Sequence, residues 1–568
     1  MRMNENYQTI LFEDVASQLK SKANSIGQLY GSAMSLAIAE CLIKSNNMMV
    51  VITPNIEASE TLLNEINFFN QTNKVIELLP DLEILPYDIS PPNIDTVSKQ
   101  SNILYKLAHK KIDLLIVSAT NLLWRLPPKE YIKNGSLELN INQILNIDAL
   151  RNQLTSSGYK RVSMVRNPGD FSIRGSLVDL FSPSLDNPLR VDFSDDIIES
   201  LRIFDYENQL TLQIINQAMI IPANHYPNSS EAFDIFKENM RNSFEGNQMD
   251  WPLYNLIETD AASYGVHNYI PFFFKSMDSL WDYVDDNAHV FCIKESIESI
   301  SIHQKLIEER YASVKENDQP MMKPENLFLN SNAQIEIIRN KEPVILQSVK
   351  FRLNKNKTII NLKTLPILSQ NKSEHNSYKK IIEDVVAKKD LKKILISAPT
   401  ENRKSMIVND IKVHTSSIGE VESWKDFLNQ NEIFNITKRS ISESFYIENK
   451  KIAVIGEVDL FGRTTKSRIT RNRNTKDPEA IIESLKDLDV GSLVVHKDHG
   501  IGKYNGLTKL VIDDVESEFL SLSYAKNDLL QVPVTLMDQV SRYIGESSDE
   551  SILSNLGSDQ WIKICKKT

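Results

Sequence analysis

Cysteine is scarce. Cys41, Cys292 and Cys565 are the three in 568 residues, too far apart for a disulfide framework or a zinc knuckle. No apolar run reaches the about 18 residues that a membrane-spanning helix needs, and the opening MRMNENYQTI lacks the layout of an export signal. These absences lead to the expectation of a cytoplasmic chain that meets no membrane. An excess of positive charge is missing too. With 64 basic and 75 acidic residues the balance is −11, which argues against a chain whose whole surface clamps nucleic acid. A phosphate backbone would need a local basic patch. Residues 463–476 offer one, with Arg463, Lys466, Arg468, Arg471, Arg473, Lys476 and no acid, though a solvated basic linker would look the same. Finally, no intact GxGK[ST] loop and no downstream acidic motor motif occurs.

What is present is a globular composition, 41% apolar and 24% charged, long enough for several cores. Met48–Thr53 (MMVVIT) and Asp113–Val117 (DLLIV) suit buried parallel strands, and Asn55–Phe69 follows the first with helical spacing. Such alternation predicts a RecA-like or Rossmann-like layer over 1–125. Before its first strong strand stands Gly31-Ser32-Ala33-Met34-Ser35, then a helix from Leu36. A phosphate-cradling loop has a lysine where Met34 stands and a glycine where Ala33 stands. Methionine cannot neutralise phosphate, so this degenerate nucleotide loop, or plain loop, predicts no ATP turnover.

Past Pro127-Pro128 a helix over Asp148–Ser157 leads into β-rich sequence with strands at Gly175–Phe181, Leu189–Phe193 and Ile197–Phe204. Asp195-Asp196 reads as a hairpin turn rather than a metal site. This marks an inserted domain over 126–215. The first layer resumes over 216–345, with helices at Ser230–Phe244, Met277–Asp286 and Ser296–Val314 and strands at His289–Ile293 and Gln334–Ile338. Glu308, Glu309 and Glu316 form a solvated helix face, and His289 is a structural histidine. A small α/β domain over 346–462, a basic linker over 463–486, and a barrel of short strands over 487–550 follow. In the last, Gly500, Gly502, Asn505-Gly506, Asp513-Asp514 and Asn527-Asp528 are expected turns, and Pro533 closes the strand set. His496 and His499 lack the further ligands a metal site needs.

Several stretches resemble the bacterial transcription-repair coupling factors, the Mfd family. VVHKDHGIGKYNGL (494–507), LSYAKNDLLQVPV (522–534) and SRYIG (541–545) are similar to its RNA-polymerase-interacting domain, a Tudor/SH3-like barrel of CarD type. GDFSIRGSLVDLF (169–181) and RVDFSDDIIESLRIFD (190–205) resemble the domain by which this family and UvrB bind UvrA. LPDLEILPYDISPPNIDTVSKQSNILYKL (79–107) is similar to the module shared with UvrB, and GEVDLFGR (456–463) to the end of the third domain. Residues 551–568 resemble the start of a linker helix to a motor, so the expectation is the family's N-terminal half without its engine.

The resemblance implies an adaptor of multidomain α/β fold: a degenerate RecA-like, UvrB-like module, an inserted β-rich domain, a small α/β domain and the barrel. It implies binding to the RNA polymerase β subunit through Tyr504, Leu507, Leu510, Phe519 and Leu522, with Leu510 either a contact or a core residue. UvrA binding is implied for Lys160, Arg161, Arg166, Phe171 and Arg174. Arg174 alternatively forms a structural ion pair with Asp179 or Asp192, and UvrB carries a further arginine where Ser172 stands. No cofactor is implied here; ATP, magnesium, double-stranded DNA and the ATP-dependent translocase activity belong to the motor. A UvrB-type nuclease subunit would be an active ATPase, against Met34. A CarD-like regulator would leave the sequence upstream of the barrel unexplained.

Overall fold

The computed structural model describes residues 25–260, 265–314, 320–352, 359–361, 364–365, 391–412, 417–461, 491, 493–496, 500–512, 515–525, 528–533 and 540–542. They fall in two compact units, 1–464 and 465–568.

The first unit begins on a seven-stranded parallel sheet. In chain order its early elements are β1 (Ser25–Gly27), α1 (Ala33–Lys44), β2 (Met49–Thr53), α2 (Ile56–Phe69), β3 (Ile76–Leu79), α3 (Ile94–Ala108) and β4 (Leu114–Ser118). The strand order is Ile359–Asn361, β1, Val344–Leu346, His289–Ile293, β2, β4, β3. β2 and β4 are buried along their whole length, which is why their sequence is a continuous apolar run instead of an alternation. α2 starts where Asn55 caps it, its side chain accepting from the Ala58 amide at 2.9 Å.

Two expectations in this layer are corrected. Gln334–Ile338 is not a strand but part of a helix, Ser331–Asn340. QIEII alternates well enough to suggest period two. However, the Asn330 side chain caps the first turn, and Ile335 and Ile338, three residues apart, share the buried face. Met277–Asp286 forms only a single helical turn, Leu280–Tyr283, behind a Ser279–Asp282 capping box. An unforeseen 3-10 helix, Val266–Phe273, precedes it, with Pro271 inside.

The inserted sheet has six strands in the order Thr211–Ile215, Ile197–Phe204, Leu189–Ser194, Leu177–Leu180, Asp170–Arg174, Lys160–Arg161. Asp195-Asp196 is the expected hairpin turn, Asp195 at φ 55° and Ser194 opposite Ile197. The passages into and out of this region, Leu137–Asn140 and Gln217–Ile220, pair antiparallel. Leu139, Ala218, Ile220 and Ala223 share the insert's core with Phe171, Val191 and Leu201, so that core runs past residue 215.

A second mixed sheet, Thr364–Leu365, Phe445–Ile447, Ile452–Ile455, Lys393–Ser397, Phe434–Thr437, Ile418–Glu420 in spatial order, forms the third layer. It is welded to the first. Leu36, Ile66 and Phe69 lie in one apolar cluster with Trp424, Phe427, Phe445 and Val454. The Phe69 and Trp424 rings meet edge to face at 5.1 Å between centroids.

The second unit holds a five-stranded antiparallel sheet in the order Leu529–Pro533, Val515–Ser523, Gly500–Ile512, Leu493–His496, Val540–Arg542. Here Gly502 and Asn505-Gly506 do not separate strands as expected but lie inside one strand, whereas Gly500 opens that strand opposite His496, the end of the preceding one. Gly502 is there for closeness, since a Cβ would sit 3.0 Å from the Tyr524 ring. Asn505-Gly506 makes a bulge: the register slips between Tyr504 and Leu507, with Gly506 at φ 104°. Pro533 ends the strand at one end of the sheet order, where a missing N–H does least harm. Asp513, Asp514 and Asn527, the basic stretch 463–476, His499 and 551–568 lie outside the described residues.

Candidate docking surfaces and a closed nucleotide-type loop

The loop Gly31–Ser35 has the expected local form, strand β1, a tight turn and then α1. A left-handed Gly31 at φ 52° makes the turn, and Ser32 precedes the helix without capping it. What fills the space before α1 is protein. Glu65, from α2, is fully buried with its carboxylate on this turn; it accepts from Ser32 Oγ at 2.7 Å and from Ser35 Oγ. The third layer completes the arrangement. The Ser442 amide donates to Glu65 Oε1 at 2.9 Å, the Glu443 amide to Ser32 Oγ at 3.1 Å, and the Ser32 amide to the Glu443 carbonyl at 3.3 Å. A Cβ on Gly31 would stand 2.7 Å from the Ser444 carbonyl oxygen. Met34 is half-buried against the shared apolar cluster, and Ala33 lies inside it. Burial pushes the Glu65 carboxyl above the ordinary range, against the lowering effect of Ser35, Ser32 and Ser442.

In the inserted sheet, Lys160 and Arg161 lie on an exposed end strand paired parallel with Asp170–Phe171. Arg166 is exposed on the loop between these strands. That loop is shaped by Asp170, whose Oδ2 accepts from the Arg166 amide at 3.1 Å and the Asn167 amide at 2.9 Å. Arg174 is exposed at the hairpin end and does pair with Asp179, Nη2 to Oδ2 at 2.5 Å. Phe171 behaves differently from the other four: its ring is fully buried in the insert's core and presents nothing to solvent. Ser172 is buried too.

Sequence reasoning did not single out the rest of this face. Buried Asp179 also accepts from Arg190, Nε to Oδ1 at 2.7 Å, which holds that guanidinium above its ordinary pKa. Arg190 lies over the Phe204 ring at 4.6 Å, and Arg202 pairs with Asp192. The alternation in LRVDFS (189–194), with Leu189, Val191 and Phe193 buried, was the available signal. Arg174, Arg190 and Arg202 are thus ion-paired around Asp179 and Asp192, and their planar forks suit surface recognition.

In the second unit Tyr504 and Leu522 pack in the core with Val494, Leu520, Tyr524 and Val532. Phe519 is buried as well. The backbones of Leu507 and Leu510 lie in the long strand, opposite Leu520 and Ser517, while their side chains lie outside the described residues. Among the described residues no cluster of His, Cys, Asp and Glu could hold a metal ion, and no helix is long and apolar enough to cross a membrane.

Three family models match separate stretches. The UvrB interaction domain matches residues 137–226, the MFD D3 domain 388–460, and the CarD-like/TRCF RID domain 488–544. Across nearly the whole chain there are curated relatives named transcription-repair-coupling factor. Those of Haemophilus influenzae and Escherichia coli are 29% and 28% identical, each over 95% of this chain and 47% of their own length. That of Rickettsia bellii is 27% identical over 94% of the chain and 46% of its length. The chain thus spans about half the length of the curated relatives it matches.

Proposed function

We propose, for a chain that belongs with the transcription-repair-coupling factors, that it is a two-handed adaptor between stalled transcription and nucleotide excision repair. The observation that carries this is the presence, in one polypeptide, of a UvrB-type interaction domain at 137–226 and a CarD-like/TRCF RID domain at 488–544. The inserted sheet takes UvrA at its exposed end, through Lys160, Arg161, Arg166 and Arg174. Those four side chains are exposed; Phe171 acts by holding the strand beneath them. The C-terminal sheet, a small Tudor/SH3-like barrel in this reading, takes the RNA polymerase β subunit along the strand Gly500–Ile512. Because Tyr504, Phe519 and Leu522 are buried, that contact is by the backbone and by Leu507 and Leu510.

The UvrB-like module is then a degenerate RecA-like scaffold without nucleotide turnover. Support comes from Glu65 and the Ser442–Ser444 segment standing where a triphosphate would enter, with Met34 in place of a phosphate-binding lysine. The test is a binding experiment with purified chain, UvrA and core RNA polymerase, together with an ATPase assay. Association with both proteins and no nucleotide consumption supports the reading. Failure to bind either protein, or turnover of ATP, refutes it.

A further inference from the structure

Neither docking surface includes the cavity where the inserted sheet rejoins the first layer. It measures about 30 Å³, space for more than one water-sized group. Arg125, His225 and His267 line it, with Gln100, Asn121 and Trp124 and an apolar remainder; no aspartate or glutamate does so among the described residues. His225 and His267 are only 6% and 5% exposed.

Three nitrogens at this cavity are buried with no partner among the described residues: His225 Nε2, His267 Nδ1 and Arg125 Nε. Folded proteins seldom leave such groups idle. Arg125 donates from Nη2 to the Glu325 carbonyl at 2.9 Å, and among the described residues no carboxylate pairs with its guanidinium. His267 Nε2 lies 2.8 Å from the Asp88 carbonyl oxygen. That contact requires the proton on Nε2, so in the neutral ring Nδ1 offers a lone pair to the cavity. Burial lowers both imidazoles from their ordinary values, His225 to about 4, which keeps the neutral form at pH 7.

We propose that this cavity binds a protonated phosphate, free or as a phosphomonoester. The fit is chemical. The guanidinium supplies charge-assisted donors to the oxyanion, and the ligand's own P–O–H donates to an imidazole lone pair. Sulfate carries the charge but no O–H at neutral pH, and a phosphodiester carries no O–H either. The site therefore distinguishes hydrogen phosphate from both.

Isothermal titration calorimetry of the whole chain at pH 7 and fixed ionic strength tests this, with inorganic phosphate, glycerol phosphate, sulfate and dimethyl phosphate as probes. The expected result is saturable one-to-one binding of phosphate, with sulfate and dimethyl phosphate at least about tenfold weaker. Glycerol phosphate binding as well as phosphate identifies a monoester ligand; its exclusion identifies the free ion. Arg125→Gln is expected to lose at least about tenfold in phosphate affinity. His225→Gln covers the case in which the arginine variant melts early, and exposed Lys133→Gln should leave affinity unchanged. No saturable phosphate heat, sulfate binding as tightly as phosphate, or binding unaffected by Arg125→Gln and His225→Gln would each overturn the proposal.

Discussion

Glu65→Ala is the sharpest perturbation of the seam between the first layer and the third. The carboxylate accepts from two serine hydroxyls of the nucleotide-type loop and from the Ser442 amide of the third layer. Removing it leaves the hydroxyls free to rotate, whereas the Ser442 N–H loses the acceptor it has across the seam. An unmade bond to a part-buried backbone donor costs about 1–3 kcal/mol, and each of the two serine hydrogen bonds adds about 0.5–1.5. Desolvation of the carboxylate offsets part of this, so the net local loss is about 3 kcal/mol, roughly a hundredfold in an opening equilibrium. Amide hydrogen exchange over 438–446 is the assay, because a multidomain chain does not melt as one two-state unit. Exchange there should quicken about a hundredfold while the inserted sheet is unchanged. Unaltered protection would refute the idea that Glu65 fastens the two layers.

The same residue predicts a pH effect. Its folded pKa is raised, so its contribution to stability is complete below the unfolded value of about 4.3 and is lost as pH rises through the folded value. Glu65→Gln, neutral throughout, should gain in thermal stability relative to the native chain as pH is raised from 4 to 8; a constant difference across that window would contradict the assignment. Met34→Lys should not create nucleotide binding, since Glu65 and Ser444 still stand in the way, and fluorescent-nucleotide titration checks this. Arg174→Ala should weaken UvrA binding by surface plasmon resonance. Its ion pair is half in water, so stability should change by less than about 1 kcal/mol. Arg190→Ala instead strips the bidentate partner from buried Asp179 and should lower the melting temperature of the inserted domain.

Elements with a strong local signature were legible. β2 and β4 are unbroken apolar runs, Ser296–Val314 has the expected bounds, and Asp195-Asp196 makes its hairpin. Errors arose where tertiary packing overrode local pattern. Gly502 reads as a turn residue until the Tyr524 ring is seen pressed against it, and Gln334–Ile338 alternates like a strand until Asn330 is seen capping a helix. The exposed arginines of the inserted sheet were recognisable by type, whereas the burial of Phe171 depended on which face the strand turned inward. Glu65 could not be recognised at all: its partner Ser442 is 377 positions away, and nothing near either residue announces the other.

The central claim is that separate surfaces of this one chain hold the transcribing enzyme and the lesion-sensing repair protein at once. Size-exclusion chromatography with light scattering, on the chain mixed with both core RNA polymerase and UvrA, tests it directly. The account predicts a single complex containing all three proteins, reduced to chain and polymerase by reversing the charge of Lys160, Arg161 and Arg166. Two mutually exclusive complexes, or loss of polymerase through the same three changes, would contradict it.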